Sequence, residues 1–436
     1  MMKAFFRMIR TPLIPVFLLA CAQVLSAQTF YHTGRTEPVQ TDHRPGLLLA
    51  GGATDNDDAM RWFLEQADGG DIVVLRASGS DGYNNYLHSR LGVRVNSVTS
   101  IVITSSAQAN DNEVIRVLQH AEAVFIAGGN QWNYVNDWRG TRLLETLHSL
   151  IHDKGITIGG TSAGMAVLGE VVFTAENNSI WSSEALEDPF HWRMKLERDF
   201  LQVPFMGQTV TDTHYDRLSG DGMGRKGRHV AFLARMTSDW QMQARGIACN
   251  EYTAVAVDHR GLAMVFGNPA QDHFAYFLQA DGGAPEVCVE GEPLTWDRGG
   301  RALKVYKVQG TRDGSNTFNL SGWTSGRGGQ WEYWSVVNGE LLEEVPTGVG
   351  RVDVRDASLR VFPNPAGPSL LVEWEGLRPA SEAFIMDGSG RILQRQAPPE
   401  GPGWTAAFRV NAFAPGLYFV GVAGPDFRWI QPWVKK

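Results

Sequence analysis

Short, nearly continuous apolar runs alternate with amphipathic stretches between residues 46 and 258. The runs at 46–50, 71–76, 100–104, 123–127 and 155–158 are too short for helices and read as strands covered on both faces. Between them, residues 58–66 have helical character, and Leu143, Leu144, Leu147 and Leu150 recur at helical spacing across 141–153. Glycine pairs punctuate the pattern, with Gly51-Gly52 after the first run and Gly69-Gly70 after the first helical stretch. Such alternation predicts an α/β fold built on a doubly wound, mostly parallel sheet. Residues 254–257 and 261–266, joined by Asp258-His259-Arg260, predict a hairpin at an edge of the same domain.

The pattern then changes twice. Residues 281–350 mix short strand candidates (303–308, 331–337) with glycine-rich and charged loops, and 311–330 reads as a polar surface excursion or linker. From residue 351 the pattern is all-β, with short strands at 370–374, 382–386, 404–410 and 417–422, as in a small β-sandwich. At the other end, Lys3, Arg7 and Arg10 precede an apolar stretch over 13–25, and Leu25-Ser26-Ala27 offers a cleavage site, so residues 1–28 read as an export signal. Leu18-Leu19-Ala20-Cys21 is a competing lipoprotein-type box. The expected division is signal 1–28, α/β domain 29–280, mixed β extension or linker 281–350, and β-sandwich 351–436. No later run is long and apolar enough to span a membrane.

Composition narrows the partners. A formal net charge of −8 argues against a cationic nucleic-acid footprint over the whole chain. The 48 glycines in 436 residues exceed the usual share of about 7 % and point to many tight turns. Beyond the signal only Cys249 and Cys288 remain, so a core rather than a disulfide framework holds the fold; one bridge or two separate thiols both fit.

The sharpest chemical feature is Gly159-Gly160-Thr161-Ser162-Ala163-Gly164. It places Gly-x-Ser-x-Gly between a strand and an apolar, helix-like stretch. Small neighbours let the backbone turn sharply and lift the Ser162 hydroxyl clear, while the Ala163 N–H faces a developing oxyanion. The absence of Gly-Lys-Ser/Thr after the turn disfavours a phosphate-binding loop. A serine nucleophile needs a base and an orienting acid. His214, in Asp212-Thr213-His214-Tyr215, follows an apolar stretch and stands beside loops. Glu251 is the favoured acid, with Asp212 and Asp258 as rivals on spacing alone. No metal or other cofactor is called for. Asp55, Asp57 and Asp58 lack a calcium-loop spacing and read as helix-capping residues.

Taken together, Ala127-Gly128-Gly129-Asn130-Gln131, the Ser162 turn, Asp212-Thr213-His214-Tyr215 and Gly246 through Thr253 resemble the cyanophycinase-like family of serine peptidases, which includes aspartyl dipeptidases. The resemblance covers roughly residues 46–270. It implies a fold related to class I glutamine amidotransferases, with Ser162 as nucleophile, His214 as base and Glu251 as orienting carboxylate. It also implies Gly129 as a second oxyanion donor and Gln131 in the cleft. The family's polymer-cleaving members carry glutamine and phenylalanine where this chain has Thr213 and Tyr215, and their arginines are more closely spaced, so an altered substrate pocket is expected. Asp212, Arg217, Arg225 and Arg228 are the candidate substrate-binding residues, because guanidinium groups match the carboxylates of aspartyl peptides. The competing reading is a silent binding or adhesion protein on a peptidase scaffold, with Trp132, Trp138, Trp181 and Trp192 as its contact residues. An amidotransferase would carry cysteine at position 162.

The C-terminal segment resembles the sorting domain of type IX secretion cargo, on Val361-Phe362-Pro363-Asn364-Pro365, Pro415-Gly416-Leu417-Tyr418-Phe419-Val420 and the basic end Val434-Lys435-Lys436. That resemblance implies the secretion machinery as a partner and a secreted or outer-surface location. A homodimer is compatible with the sequence.

Overall fold

The computed structural model describes residues 29–436 except 219, 221, 346–356, 365, 377–380, 389–390, 398–402 and 424–427. The export-signal expectation lies outside the described residues. A ten-stranded sheet runs Thr29–Gly34, Ser97–Val102, Asp71–Arg76, Ala123–Ile126, Thr157–Thr161, Gly46–Ala50, Ala254–Asp258, Leu262–Phe266, Thr317–Asn319, Gly326–Arg327. The strands from Ser97–Val102 to Gly46–Ala50 are mutually parallel. Every pairing outside that block is antiparallel, so the sheet is mixed rather than mostly parallel.

Period-two alternation divides the parallel strands between two cores. Leu47, Leu49, Val73, Leu75, Val124 and Ile126 pack with the helices Asn112–Gln119, Gln131–Trp138 and Arg142–Ser149. Leu48, Ala50, Ile72, Val74 and Phe125 pack with Ala59, Met60, Phe63 and Leu64 of helix Asp57–Gln66. That helix is capped by Asn56, whose side chain accepts from the N–H groups of Asp58 and Ala59. The expected aspartate cap is therefore corrected: Asp57 and Asp58 lie within the first turn, and Asp55 is half-buried just before it, accepting from Tyr83 Oη at 2.6 Å.

A second, eight-stranded sheet was not legible in the apolar pattern. It runs Glu340–Glu344, Gly329–Val337, Leu303–Gln309, Phe274–Ala280, Arg245–Cys249, Thr209–Asp212, Val171–Phe173, Leu196–Arg198. One face packs on helix Lys226–Trp240. Ile247, Ala275, Phe277 and Val308 on the other join the core of the first sheet. The strands of 303–344 complete both sheets, so this segment is woven into the α/β body and is not a linker. The 254–266 hairpin forms as expected but lies inside the first sheet, between Gly46–Ala50 and Thr317–Asn319, rather than at an edge.

Beyond residue 356 the described strands form a three-stranded and a four-stranded antiparallel sheet. Leu370, Val372, Trp374 and Phe408 of one share a core with Ile385, Val420, Val422 and Trp433 of the other. Cys249 is buried, Cys288 is half-buried, and both are free thiols.

Candidate active site

Three strands deliver the reactive side chains from their carboxyl ends, where ligands of α/β sheets gather. Strand Thr157–Thr161 of the first sheet ends at Ser162, which opens the helical turn Ala163–Ala166 with φ +52° and ψ −117°. In the second sheet, the parallel neighbours Thr209–Asp212 and Arg245–Cys249 end just before His214 and Glu251. His214, at φ +47°, holds a backbone shape that few side chains adopt.

Ser162 Oγ lies 2.8 Å from His214 Nε2, and His214 Nδ1 lies 2.6 Å from Glu251 Oε1. With an ionised carboxylate at Nδ1, that nitrogen carries the proton and Nε2 is left to accept from the serine hydroxyl. Burial pulls the His214 pKa below its ordinary value, while the Glu251 hydrogen bond opposes the shift and Arg225 adds to it. Glu251 is the only one of the three candidate acids that meets the histidine. Asp258 instead pairs with Arg260 and accepts from the N–H groups of Arg260 and Leu262 in the hairpin turn. Asp212 is claimed by Arg228.

Among the described residues, Arg228 is the most enclosed of the candidate arginines. Its Nε and Nη2 donate to the two carboxylate oxygens of Asp212 at 2.8 and 2.5 Å, and its Nη1 donates to Ser179 Oγ at 2.7 Å. Burial alone would raise the Asp212 pKa, but the Arg228 charge and hydrogen bonds outweigh it and hold the carboxyl below its usual range. Arg228 and Asp212 thus form a buried pair with each other, and both also line the cavity that holds Ser162 and His214. Arg225 donates to the Thr213 carbonyl at 2.8 Å and is pulled down to about 10 by burial, so it stays cationic at neutral pH. Arg217 makes no ion pair among the described residues, and with Arg225 it lines a cavity of about 350 Å³ that also holds Ser162, His214, Gly129 and Gln131.

The expected oxyanion donors lie beside the nucleophile. Ala163 is the first residue of its helical turn, so its N–H has no partner within it. The Gly128-Gly129 turn passes against Ser162, and a Cβ at Gly128 would stand 3.5 Å from the Ser162 Cβ. Tyr134 Oη donates to the Ala127 carbonyl at 2.8 Å and anchors that turn. Gln131 contacts the Phe173 carbonyl at 3.3 Å from the far wall. Thr213 and Tyr215, the two departures from the family pattern, have separate places. Thr213 lines the cavity, whereas Tyr215 turns into the core, with its hydroxyl 3.3 Å from Nδ1 of the buried His229. Burial lowers the His229 pKa to about 4, so that ring is neutral.

Residues 47–187 match peptidase family S51. Cyanophycinase from Synechococcus elongatus is 27 % identical over 174 residues, covering 38 % of this chain and 51 % of its own length. Cyanophycinase from Geminocystis herdmanii (strain PCC 6308) is 26 % identical over 156 residues, covering 33 % and 56 %. The chain spans about half the length of the curated relatives it matches. The structure of a peptidase from an acI-B1 Actinobacterium aligns with TM-score 0.42 and 12 % identity, covering 64 % of this chain and 98 % of that one. The family match and the two cyanophycinases liken this chain to peptidases. The family match ends at residue 187, before both His214 and Glu251, so the relay geometry is evidence separate from it.

Proposed function

We propose that this chain is a serine peptidase that hydrolyses a peptide or isopeptide bond beside an acidic side chain, as in aspartyl peptides or a cyanophycin-like polymer. The observation that carries the reading is the unbroken relay Ser162–His214–Glu251 at the edge of a cavity holding the cations of Arg217 and Arg225. In this mechanism His214 Nε2 takes the Ser162 proton as Oγ attacks the carbonyl carbon. The N–H groups of Ala163 and Gly129 receive the oxyanion. His214 then protonates the leaving amine, and water, deprotonated by the same ring, releases the acyl group. Glu251 fixes the tautomer and stabilises the imidazolium. Arg217 and Arg225 hold the substrate carboxylate. A relay with all its contacts in place favours turnover over the silent binding reading. We further propose export through residues 1–28 and delivery to the cell surface through the C-terminal β region, supported by the motifs around Pro363 and Tyr418.

A fluorophosphonate probe should label the wild-type protein and not Ser162→Ala. Labelling that survives the substitution defeats the proposal. A panel of α-aspartyl and β-aspartyl dipeptides, an Asp–Arg polymer and neutral dipeptides assigns the substrate, with hydrolysis of the neutral dipeptides alone ruling out the acidic preference.

A further inference from the structure

The turn after strand Gly46–Ala50 belongs to none of the reactive motifs, yet it touches the three segments that carry Ser162, His214 and Glu251. Three successive carbonyls accept one backbone hydrogen bond each. Ala50 O receives Ser162 N at 3.0 Å, Gly51 O receives His214 N at 2.7 Å, and Gly52 O receives Tyr252 N, next to Glu251, at 3.1 Å. In return Gly51 N donates to Thr253 O at 2.9 Å. Ser162 hangs from the first sheet, while His214 and Glu251 hang from the second, so the turn joins two separately built halves of the relay.

Its glycines are required by close approach. A Cβ at Gly51 would overlap the Asn250 carbonyl oxygen, which is backbone and cannot swing aside. A Cβ at Gly52, where φ is +104°, would overlap Cε1 and Nε2 of His214, the edge of the ring that faces Ser162. The imidazole therefore rests on bare backbone, with Glu251 behind it and Ser162 in front.

We propose that Ala50-Gly51-Gly52 is the element that sets the register of the Ser162, His214 and Glu251 loops, and that Gly52 is a positioning residue acting through the His214 ring. The proposal rests on the serine-peptidase reading for its rate prediction but not for its structural one. A methyl group at Gly52 displaces the ring edge from Ser162, and misplacement on the ångström scale costs about 100-fold in rate.

The test is a cycle of Gly52→Ala, His214→Ala and the double variant, read by saturable fluorophosphonate labelling and by thermal unfolding. Gly52→Ala should lower the maximal labelling rate about 100-fold while leaving half-saturation unchanged. It should lower the melting temperature more when His214 is present than when it is absent, because the alanine methyl then has no ring to strike. The backbone strain at φ +104° is common to both backgrounds and cancels. If Gly52→Ala alone does not fold, recovery of a folded protein in the double variant supports the proposal. Labelling of Gly52→Ala at the wild-type rate overturns it, as does an equal loss of melting temperature in both backgrounds. A wild-type protein that takes no label defeats the serine-peptidase reading, and the melting comparison still decides whether Gly52 acts through the ring.

Discussion

The two ends of the cavity handle polar side chains in opposite ways. At the relay end, Ser162, His214 and Glu251 are joined to each other, and Ser162 and His214 are left open to the cavity, so the hydrogen bond between them can be rearranged by a substrate. At the arginine end, Arg228 is closed upon Asp212 and Ser179, Arg225 donates to the Thr213 carbonyl with Asp212 4.0 Å away, and Arg217 is left to meet an incoming charge. A basic loop in a sequence is thus not the same as a basic pocket. One of its three arginines neutralises a buried carboxylate, and the others set the field that a substrate meets.

Substitution can break this contrast at either end. The largest effect is expected at the nucleophile, where Ser162→Ala should lower turnover by roughly a millionfold, the scale of nucleophile loss in serine proteases, with the melting temperature nearly unchanged. Glu251→Gln comes next, with a loss approaching 10⁴-fold because the amide no longer enforces the productive tautomer. Acid pH sharpens the same point. His214 must be neutral to act as base, and burial lowers its pKa, so the acid limb of a labelling-rate profile should be centred below the ordinary value of about 6.5. Glu251 opposes that shift, so in Glu251→Gln the midpoint should move lower still.

At the arginine end the expected losses are in stability. Arg228→Met removes the two-point partner of the buried Asp212 carboxylate, leaving Arg225 at 4.0 Å as its nearest cation, and should cost about 3 kcal/mol, measured by urea unfolding. Adding Asp212→Asn should recover part of that loss, and a double variant no more stable than the single one would count against a tight pair. The smallest effect belongs to Arg217→Ala. It should raise KM for acidic peptides about tenfold, the loss of one modest charge-assisted contact, leave kcat for neutral peptides unchanged, and move stability by no more than about 0.5 kcal/mol.

The same contrast explains what could be read in the chain beforehand. The Ser162 turn is local, because small residues, strand and helical turn are contiguous, and it was legible. So were the buried parallel strands, since residues covered on both faces leave unbroken apolar runs. The second sheet was not legible. Its strands Leu303–Gln309 and Gly329–Val337 mix apolar with polar and charged residues, and such strands resemble any surface hairpin. The fate of Arg228 was hidden for a related reason, because its burial depends on helix Lys226–Trp240 docking beside Thr209–Asp212. The Gly51-Gly52 turn announced itself only as a break after a strand. Its backbone bonds to distant loops leave no mark in side-chain pattern.

The weaving of residues 303–344 into both sheets has a consequence for synthesis. Glu251 emerges from the ribosome after one neighbour of its own strand, Thr209–Asp212, and well before the other. Arg245–Cys249 gains its outer neighbour only with Phe274–Ala280, and that strand in turn waits for Leu303–Gln309. A nascent chain that already holds every residue of the relay still lacks the side of the sheet that supports it. Hydrolytic competence of the proposed peptidase should therefore require the chain through the Glu340–Glu344 strand, even though all three relay residues precede it.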